Sequence, residues 1–392
     1  MIPQLRKALQ LSNMQSTYVD TAVYMAYFLM AIPAGMLLQK IGYKKSILLG
    51  LGLFSLGALL FIPAANKQSF GFFLSNLFII GCGLTVLETA ANPYATLLGD
   101  SESASFRLNL AQSFNGLGVF FGPAIGTYFI LSGKTYSTSE LQLMSQTDRL
   151  HYYLTEAASV KMPYLYLGCL FLVVGLAFFI FKFPEFKAEN TLKKEGSIFA
   201  AWQQKHLRSA VFAQVFYVGA QVCVTSFFVR LAISAGGTSE KTAGYYLTLY
   251  GVVFMVGRFV GTFLMRFISP ARLLAIYSIA CIVLSILAIK IVGFGVIYVL
   301  CGLGFFMSIM FPTIFALGIK NLGENTKKGS SLLVMAIIGG AVFPVIMGKI
   351  IDASGDDIQT GYAVPFVCYF VILWMAIVAI RTEKQINKAE NL

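Results

Sequence analysis

Gly35-Met-Leu-Leu-Gln-Lys40 recurs in altered form as Gly261-Thr-Phe-Leu-Met-Arg266. Each copy ends a long apolar run at a basic residue, as membrane-crossing helices do where they reach the cytoplasm. Similarity between two distant stretches of one chain is the sequence signature of an internal repeat. The pair therefore predicts two halves that are built on the same helical plan.

Long apolar runs surround both copies of the repeat. The chain of 392 residues is 57% hydrophobic and only 12% charged, whereas about 25% of the residues in a soluble domain are charged. A hydrocarbon core about 30 Å thick requires about 20 apolar residues per helix. About 11 runs meet this requirement, and we place them at 17–39, 46–65, 70–95, 106–131, 163–183, 207–233, 242–267, 273–292, 294–319, 329–351 and 362–380. The predicted fold class is an all-α membrane protein.

A basic linker separates the first five predicted spans from the last six. The stretch from Lys182 to Arg208 is rich in lysine, and the positive-inside rule assigns such a linker to the cytoplasm. The predicted organisation is an N-terminal helical bundle over 1–183, a cytoplasmic linker over 184–206 and a C-terminal helical bundle over 207–392. The C-terminal tail then lies in the cytoplasm as well.

The two copies of the repeat are preceded by unequal lengths of their halves. Gly261 lies near the end of the second predicted span of its half, whereas Gly35 lies near the end of the first, with only 34 residues before it, enough for one span. The repeat therefore predicts a plan of twelve helices whose first member, about 20 residues long, is missing here. We expect the chain as given to transport poorly, because part of any central cavity would lie on that helix.

Charge and cysteine content favour no other class of protein. The net charge of +12 comes from Lys and Arg in short loops, not from one basic face, so no nucleic-acid partner is predicted. Neither histidine lies well inside a span, and the spans offer no metal cluster or nucleophile, so neither a cofactor nor an enzyme is predicted. The cysteines occur in apolar runs without metal-site spacing, and we expect them to be small buried side chains: Cys82, Cys169, Cys223, Cys281, Cys301 and Cys368.

Glu88 is an acidic residue in the middle of a predicted span. It occurs in Gly81-Cys-Gly-Leu-Thr-Val-Leu-Glu-Thr-Ala-Ala-Asn-Pro93, and a charged side chain at the bilayer centre costs at least about 2.5 kcal/mol on insertion scales. Thr85, Asn92 and Thr96 share its helical face. The spacing predicts a polar site that includes Glu88 and Asn92. The alternative is a structural carboxylic acid that is hydrogen-bonded between helices.

Two more polar stripes run along predicted spans. Gln112 lies on one face of the fourth span, with Asn115 turned to its side. Tyr217 and Gln221 lie one helical turn apart on the first span of the second half. Stripes in corresponding parts of two halves are expected to face each other across a cavity. The alternative is that these side chains only join neighbouring helices.

Arg258 is a basic residue inside the apolar run from Val252 to Leu264. It lies within two helical turns of the predicted cytoplasmic end of its span. Long basic side chains near such an end extend toward water and keep only their methylene groups in the hydrocarbon. We therefore expect Arg258 to snorkel to the surface.

Six stretches carry a resemblance to a known family. They are Leu87-Glu-Thr-Ala-Ala-Asn-Pro93, Phe106-Arg-Leu-Asn-Leu-Ala-Gln-Ser-Phe-Asn115, Tyr217-Val-Gly-Ala-Gln221, Gly257-Arg-Phe-Val-Gly-Thr262, Phe311-Pro-Thr-Ile-Phe315 and Gly318-Ile-Lys-Asn-Leu-Gly323. Together they resemble the L-fucose/proton symporters of the major facilitator superfamily over nearly the whole chain. Glucose/galactose permeases of the same family are similar near Pro93 but typically carry Gln-Val where this chain has Glu88-Thr89, which favours the fucose branch.

The resemblance implies the major facilitator fold and proton-coupled uptake of a monosaccharide, most directly L-fucose, by alternating access in the bacterial inner membrane. It assigns proton coupling to Glu88; the family's second transport carboxylate lies on the missing helix. With the polar stripes, the candidate substrate-binding residues are Glu88, Asn92, Gln112, Asn115, Tyr217 and Gln221. The expected partners are a sugar and the lipid bilayer, with protons in place of a cofactor and a monomeric chain. The alternatives are another sugar permease, such as one for glucose or galactose, and a sugar sensor that does not transport.

Overall fold

The computed structural model describes residues 13–67, 69–125, 140, 143–158, 160–182, 184 and 198–390. These residues form helices joined by turns, and no strand occurs among them. The predicted all-α fold class is confirmed. The helices are α1 (Asn13–Leu59), α2 (Phe61–Lys67), α3 (Phe70–Leu97), α4 (Ala104–Ile125), α5 (Gln146–Ala158), α6 (Lys161–Ile180), α7 (Ile198–Gln203), α8 (Lys205–Ser234), α9 (Glu240–Leu264), α10 (Pro270–Lys290), α11 (Gly295–Met307), α12 (Met310–Ile319), α13 (Thr326–Met335), α14 (Gly339–Ala353), α15 (Ile358–Gly361) and α16 (Ala363–Glu390).

Within the described residues, nine helical segments are long and apolar enough to cross a membrane. The longest, Thr21–Lys67, has 47 residues, about 70 Å of helix at 1.5 Å per residue, which is enough for two crossings. Gly42 divides it with a φ of 78°, outside the helical region. The segment thus covers the predicted spans 17–39 and 46–65. The end of the predicted span 106–131 lies outside the described residues.

The chain divides into two compact units, the first of which comprises residues 1–90 and 121–187. Its described core combines aliphatic side chains with stacked aromatic rings. The rings of Phe54 and Phe171 stack with centroids 3.8 Å apart, and those of Phe61 and Tyr164 stack at the same distance. These contacts pack the end of α1 and the start of α2 against α6.

Glycines allow α1 and α3 to approach closely within this unit. A Cβ atom at Gly83 of α3 would lie 2.6 Å from the backbone nitrogen of Phe54, and one at Gly81 would lie 2.7 Å from the Cβ atom of Ala26. Neither position has room for a methyl group unless α1 moves. Small residues at helix crossings let membrane helices pack backbone against backbone.

We expect Gly83→Ala to lower the thermal unfolding temperature, because the added methyl group must displace the α1 backbone and such overpacking costs about 1–3 kcal/mol. Gly71→Ala on the same helix is the matched control, since a Cβ atom there meets nothing within 4 Å. Both variants should be melted in the same detergent. Equal unfolding temperatures for the two variants would contradict the close packing of α1 on α3.

The second unit comprises residues 91–120 and 188–392. Helix α8 lies at its centre, in contact with α12, α14 and α16. The same unit includes residues 91–120, which contain most of α4, although these residues precede the linker. The sequence-based boundaries of the two bundles, at 183 and 207, stay a prediction.

The predicted span 294–319 is a broken helix in the second unit. Helix α11 ends at Met307 and α12 begins at Met310. Pro312 accounts for the break, because proline has no N–H group to donate to the carbonyl of Ser308, four residues earlier, and its ring crowds that carbonyl. The carbonyl oxygens of Met307 and Ser308 accept hydrogen bonds from side chains of other helices instead.

Candidate functional site

Glu88 of α3 is bonded to a tyrosine of α1 inside the first unit. The Tyr27 hydroxyl donates to Glu88 Oε1 at 2.9 Å. Glu88 Oε2 is buried and has no hydrogen-bond partner among the described residues. The close contact of Ala26 with Gly81, two turns before Glu88, brings Tyr27 to the carboxyl. The second oxygen is therefore available to carry a proton or to bind a hydroxyl group.

The predicted polar face of α3 includes two threonines whose hydroxyls are used locally. Thr85 donates to the carbonyl of Gly81 at 2.7 Å, and Thr96 donates to that of Pro93 at the same distance. Neither hydroxyl is needed by another helix. Two other groups of this face, Glu88 Oε2 and Asn92 Nδ2, have no partner among the described residues.

Three side-chain amides of the second unit form a connected series, which we call the amide chain: Asn92, Gln112 and Asn115. Gln112 Nε2 donates to Asn92 Oδ1 at 3.0 Å, and Asn115 Nδ2 donates to Gln112 Oε1 at 3.1 Å. Asn92 is buried, Gln112 is half-buried and Asn115 is exposed. Asn92 Nδ2 has no partner among the described residues. The amide chain thus extends from the interior to the surface and keeps donors and acceptors for a polar ligand.

Tyr217 and Gln221 of α8 are not hydrogen-bonded to the amide chain. The Tyr217 side chain is fully buried, and its hydroxyl donates to the Met307 carbonyl at 3.1 Å, at the break between α11 and α12. Gln221 is half-buried one turn later, and its backbone carbonyl accepts a hydrogen bond from the Thr225 hydroxyl at 3.0 Å. In this conformation the tyrosine supports a neighbouring backbone, and a role for either side chain in binding stays a prediction.

Arg258 of α9 is buried, so the expectation that it snorkels is wrong. Its side chain is 4% exposed. Arg258 Nε donates to the Ser308 carbonyl at 2.7 Å, and Nη1 donates to the Gln112 carbonyl at 2.7 Å. The guanidinium also lies 4.9 Å from the centre of the Phe254 ring, where a cation is attracted to the ring face. Two backbone carbonyls and a ring replace water around this charge.

The cysteines differ in exposure. Cys169 is exposed and Cys82 is half-buried, so the expectation of burial is wrong for Cys169. The buried members are Cys223, Cys281, Cys301 and Cys368. Within the described ranges, no group of three or more His, Cys, Asp or Glu residues could hold a metal ion.

A bundle of apolar helices that keeps a carboxyl, a series of amides and a broken helix inside its spans is built like a membrane transporter for polar solutes. The comparison with known families agrees. The chain belongs to the Major Facilitator Superfamily, whose family model matches residues 1–337.

Characterised relatives are similar over almost the whole chain. The L-fucose-proton symporter of Escherichia coli (strain K12) is 40% identical over 383 residues, which cover 96% of this chain and 87% of that protein. The glucose/galactose transporter of Brucella abortus (strain 2308) is 37% identical over 387 residues, covering 97% and 89%. The crystal structure of the transporter FucP in the outward conformation superimposes with a TM-score of 0.89 at 40% identity, covering 96% of this chain and 92% of that one.

These similarities test several predictions made from the sequence. The family, the major facilitator fold and a location in the inner membrane are confirmed. The chain is a transporter rather than an enzyme. The relatives named above differ in their sugars, so the comparison leaves the substrate to be argued from the site.

Proposed function

We propose that this transporter couples proton movement to the uptake of a monosaccharide, with L-fucose as its substrate. The observation that carries the proposal is the Glu88 carboxyl, which lies inside a membrane span with one oxygen bonded by Tyr27 and the other without a described partner. Burial favours the neutral form of a carboxyl group. A neutral carboxyl can donate to a sugar hydroxyl, which would link sugar binding to protonation.

We assign the sugar-binding role to the amide chain. A side-chain amide both donates and accepts hydrogen bonds, as does each hydroxyl of a sugar. Asn92 Nδ2 has no described partner, and Asn115 is exposed at the other end, so a ligand can bond to both ends without breaking the series. Tyr217 and Gln221 complete the proposed set. Tyr217 would join it only after a change at the break between α11 and α12.

The choice of L-fucose rests on local sequence rather than on overall identity. The two relatives quoted above are nearly equally similar to the chain, at 40% and 37% identity. Glu88-Thr89 matches the fucose branch of the family, where the glucose/galactose branch typically has Gln-Val. A glucose/galactose permease is the second candidate. In either case, transport is expected by rocking of two bundles around a central site.

Uptake of labelled L-fucose into proteoliposomes tests the proposal, with the protein extended at its N-terminus to supply the first helix that the repeat predicts. We expect the sugar to accumulate inside when the outside is acidic, and a protonophore to abolish the accumulation. Unlabelled L-fucose should compete at least tenfold better than D-glucose or D-galactose, about 1.4 kcal/mol of difference in binding. Preferential competition by glucose or galactose would support the second candidate. Proton-independent, purely downhill uptake would contradict the proposed coupling.

A further inference from the structure

Arg258 joins three helices of the second unit through backbone carbonyls. It belongs to α9, its Nε bonds the Ser308 carbonyl beyond the end of α11, and its Nη1 bonds the Gln112 carbonyl of α4, both at 2.7 Å. No described carboxylate forms an ion pair with it. Arg258 is therefore a buried cation whose charge is stabilised by main-chain dipoles.

Pro312 explains why one of these carbonyls needs the arginine. The Ser308 carbonyl would accept a helical bond from residue 312, but proline has no N–H group to donate. A buried carbonyl without a donor is destabilising, because it has lost its hydrogen bond to water and gained none in return. Arg258 supplies the missing donor and still has a second N–H group for Gln112, because the guanidinium presents several donors in a fixed planar fork.

Other contacts hold α4 in the same place. Asn109 Nδ2 donates to Thr313 Oγ1 at 3.2 Å, and the hydroxyls of Ser113 and Thr262 lie 3.5 Å apart. All four side chains are buried. On the turn between Asn109 and Ser113 lies Gln112, whose backbone is bonded to Arg258 and whose side chain is the middle member of the amide chain.

We propose that Arg258 is a positioning residue. Its two hydrogen bonds hold α4 against α9 and against the Pro312 break, an arrangement that we call the latch, and they thereby orient the Gln112 amide. α4 precedes the linker and α9 follows it, so by the predicted, sequence-based boundaries the two helices belong to different bundles. In the proposed transport cycle they must part when those bundles rock. Parting removes one of the two carbonyls from a buried charge, which is strongly disfavoured. The latch therefore favours the state in which α4 stays packed on α9.

Cross-linking measures the latch directly and without sugar. Ser113→Cys and Thr262→Cys should be combined after the six native cysteines are replaced, because hydroxyls 3.5 Å apart place two thiols within reach of a disulfide. We expect this pair to cross-link rapidly under mild oxidation in membranes. Arg258→Gln should slow cross-linking about tenfold, the effect of losing a charge-assisted hydrogen bond. Arg258→Lys, which keeps the charge but not the planar fork, should give an intermediate rate.

Pro312→Ala separates the latch from simple stability. Alanine returns an N–H group to the Ser308 carbonyl, so Arg258→Gln combined with Pro312→Ala should recover the thermal unfolding temperature of the parent but still cross-link slowly. Arg230→Gln is the matched control, because this arginine is 52% exposed and pairs with Asp356. It should cross-link at the parental rate.

Two results would overturn the proposal. One is a parental cross-linking rate in the Arg258→Gln variant, or in the stabilised double variant if the single variant does not fold. The other is recovery of both stability and cross-linking by Pro312→Ala. That result would show that Arg258 only supplies the missing donor to the Ser308 carbonyl. Because no sugar is present, failure of these tests leaves the proposed substrate untouched, and a wrong substrate leaves the latch untouched.

Discussion

In the protein completed with the predicted first helix, we expect Glu88→Gln to abolish proton-driven accumulation of sugar while exchange of sugar across the membrane continues. Glutamine retains the oxygen that accepts the Tyr27 hydroxyl and resembles the protonated acid in shape, but it cannot release a proton. Exchange of labelled for unlabelled sugar needs no net proton movement, so it should survive. The measurement is proton-driven uptake on a pH gradient compared with counterflow in the same proteoliposomes. We expect the rate of proton-driven uptake to fall about 100-fold, which corresponds to about 2.7 kcal/mol.

Two further substitutions test the reason for this effect. Tyr27→Phe removes the hydrogen bond but leaves the carboxyl, so accumulation should persist. Glu88→Ala removes the acceptor and the hydrogen-bonding group together, so it should weaken sugar binding as well as coupling. If Glu88→Gln concentrates sugar like the parent, Glu88 is a structural residue and the proton is carried elsewhere.

The helical plan could be predicted because it depends on run length and charge. Each apolar run long enough to span a bilayer is helical wherever the structure describes it, although 294–319 is divided between α11 and α12 and 329–351 between α13 and α14. Gly42, between two basic residues, gives the turn of the longest segment its nonhelical φ. Such features are local, so one sequence suffices to find them.

The partners of the polar residues could not be predicted in the same way. Glu88 is evident from its charge, but Tyr27 is one of several aromatic residues in an apolar run. Only the close approach at Gly81 identifies it as the partner. The bond from Gln112 to Asn92 joins residues of two helices, and its register depends on how those helices cross. Spacing along one helix gives a face but not the residue opposite it.

Arg258 illustrates why sequence reasoning failed at one position. The short distance from Arg258 to the end of its span predicts snorkelling. That prediction takes no account of a backbone carbonyl that a break in a neighbouring helix leaves without a donor. Pro312 was visible in the sequence, and proline removes a helical donor. The signal was therefore present, but the sequence does not show that Ser308 and Arg258 lie on facing helices.

Gln112→Ala should weaken sugar binding far more than Asn115→Ala. Gln112 is the middle member of the amide chain, so its removal breaks two hydrogen bonds and leaves both polar atoms of the buried Asn92 side chain without a described partner. A buried polar group left without a partner costs about 1–3 kcal/mol, which corresponds to about a 5- to 150-fold loss of affinity. Asn115 donates a single bond, so Asn115→Ala breaks one hydrogen bond and leaves the bond from Gln112 to Asn92 in place.

The half-saturation concentration of L-fucose in counterflow measures both effects, and Asn115→Ala serves as the matched control. Gln112→Ala keeps the backbone carbonyl that Arg258 binds, so cross-linking of the Ser113→Cys/Thr262→Cys pair should be unchanged in this variant. Loss of affinity with normal cross-linking would assign the side chain of Gln112 to the sugar and its carbonyl to the latch. Equal half-saturation concentrations for the two alanine variants would show that the connected series of amides is not the binding element, and would leave the sugar to residues on other helices.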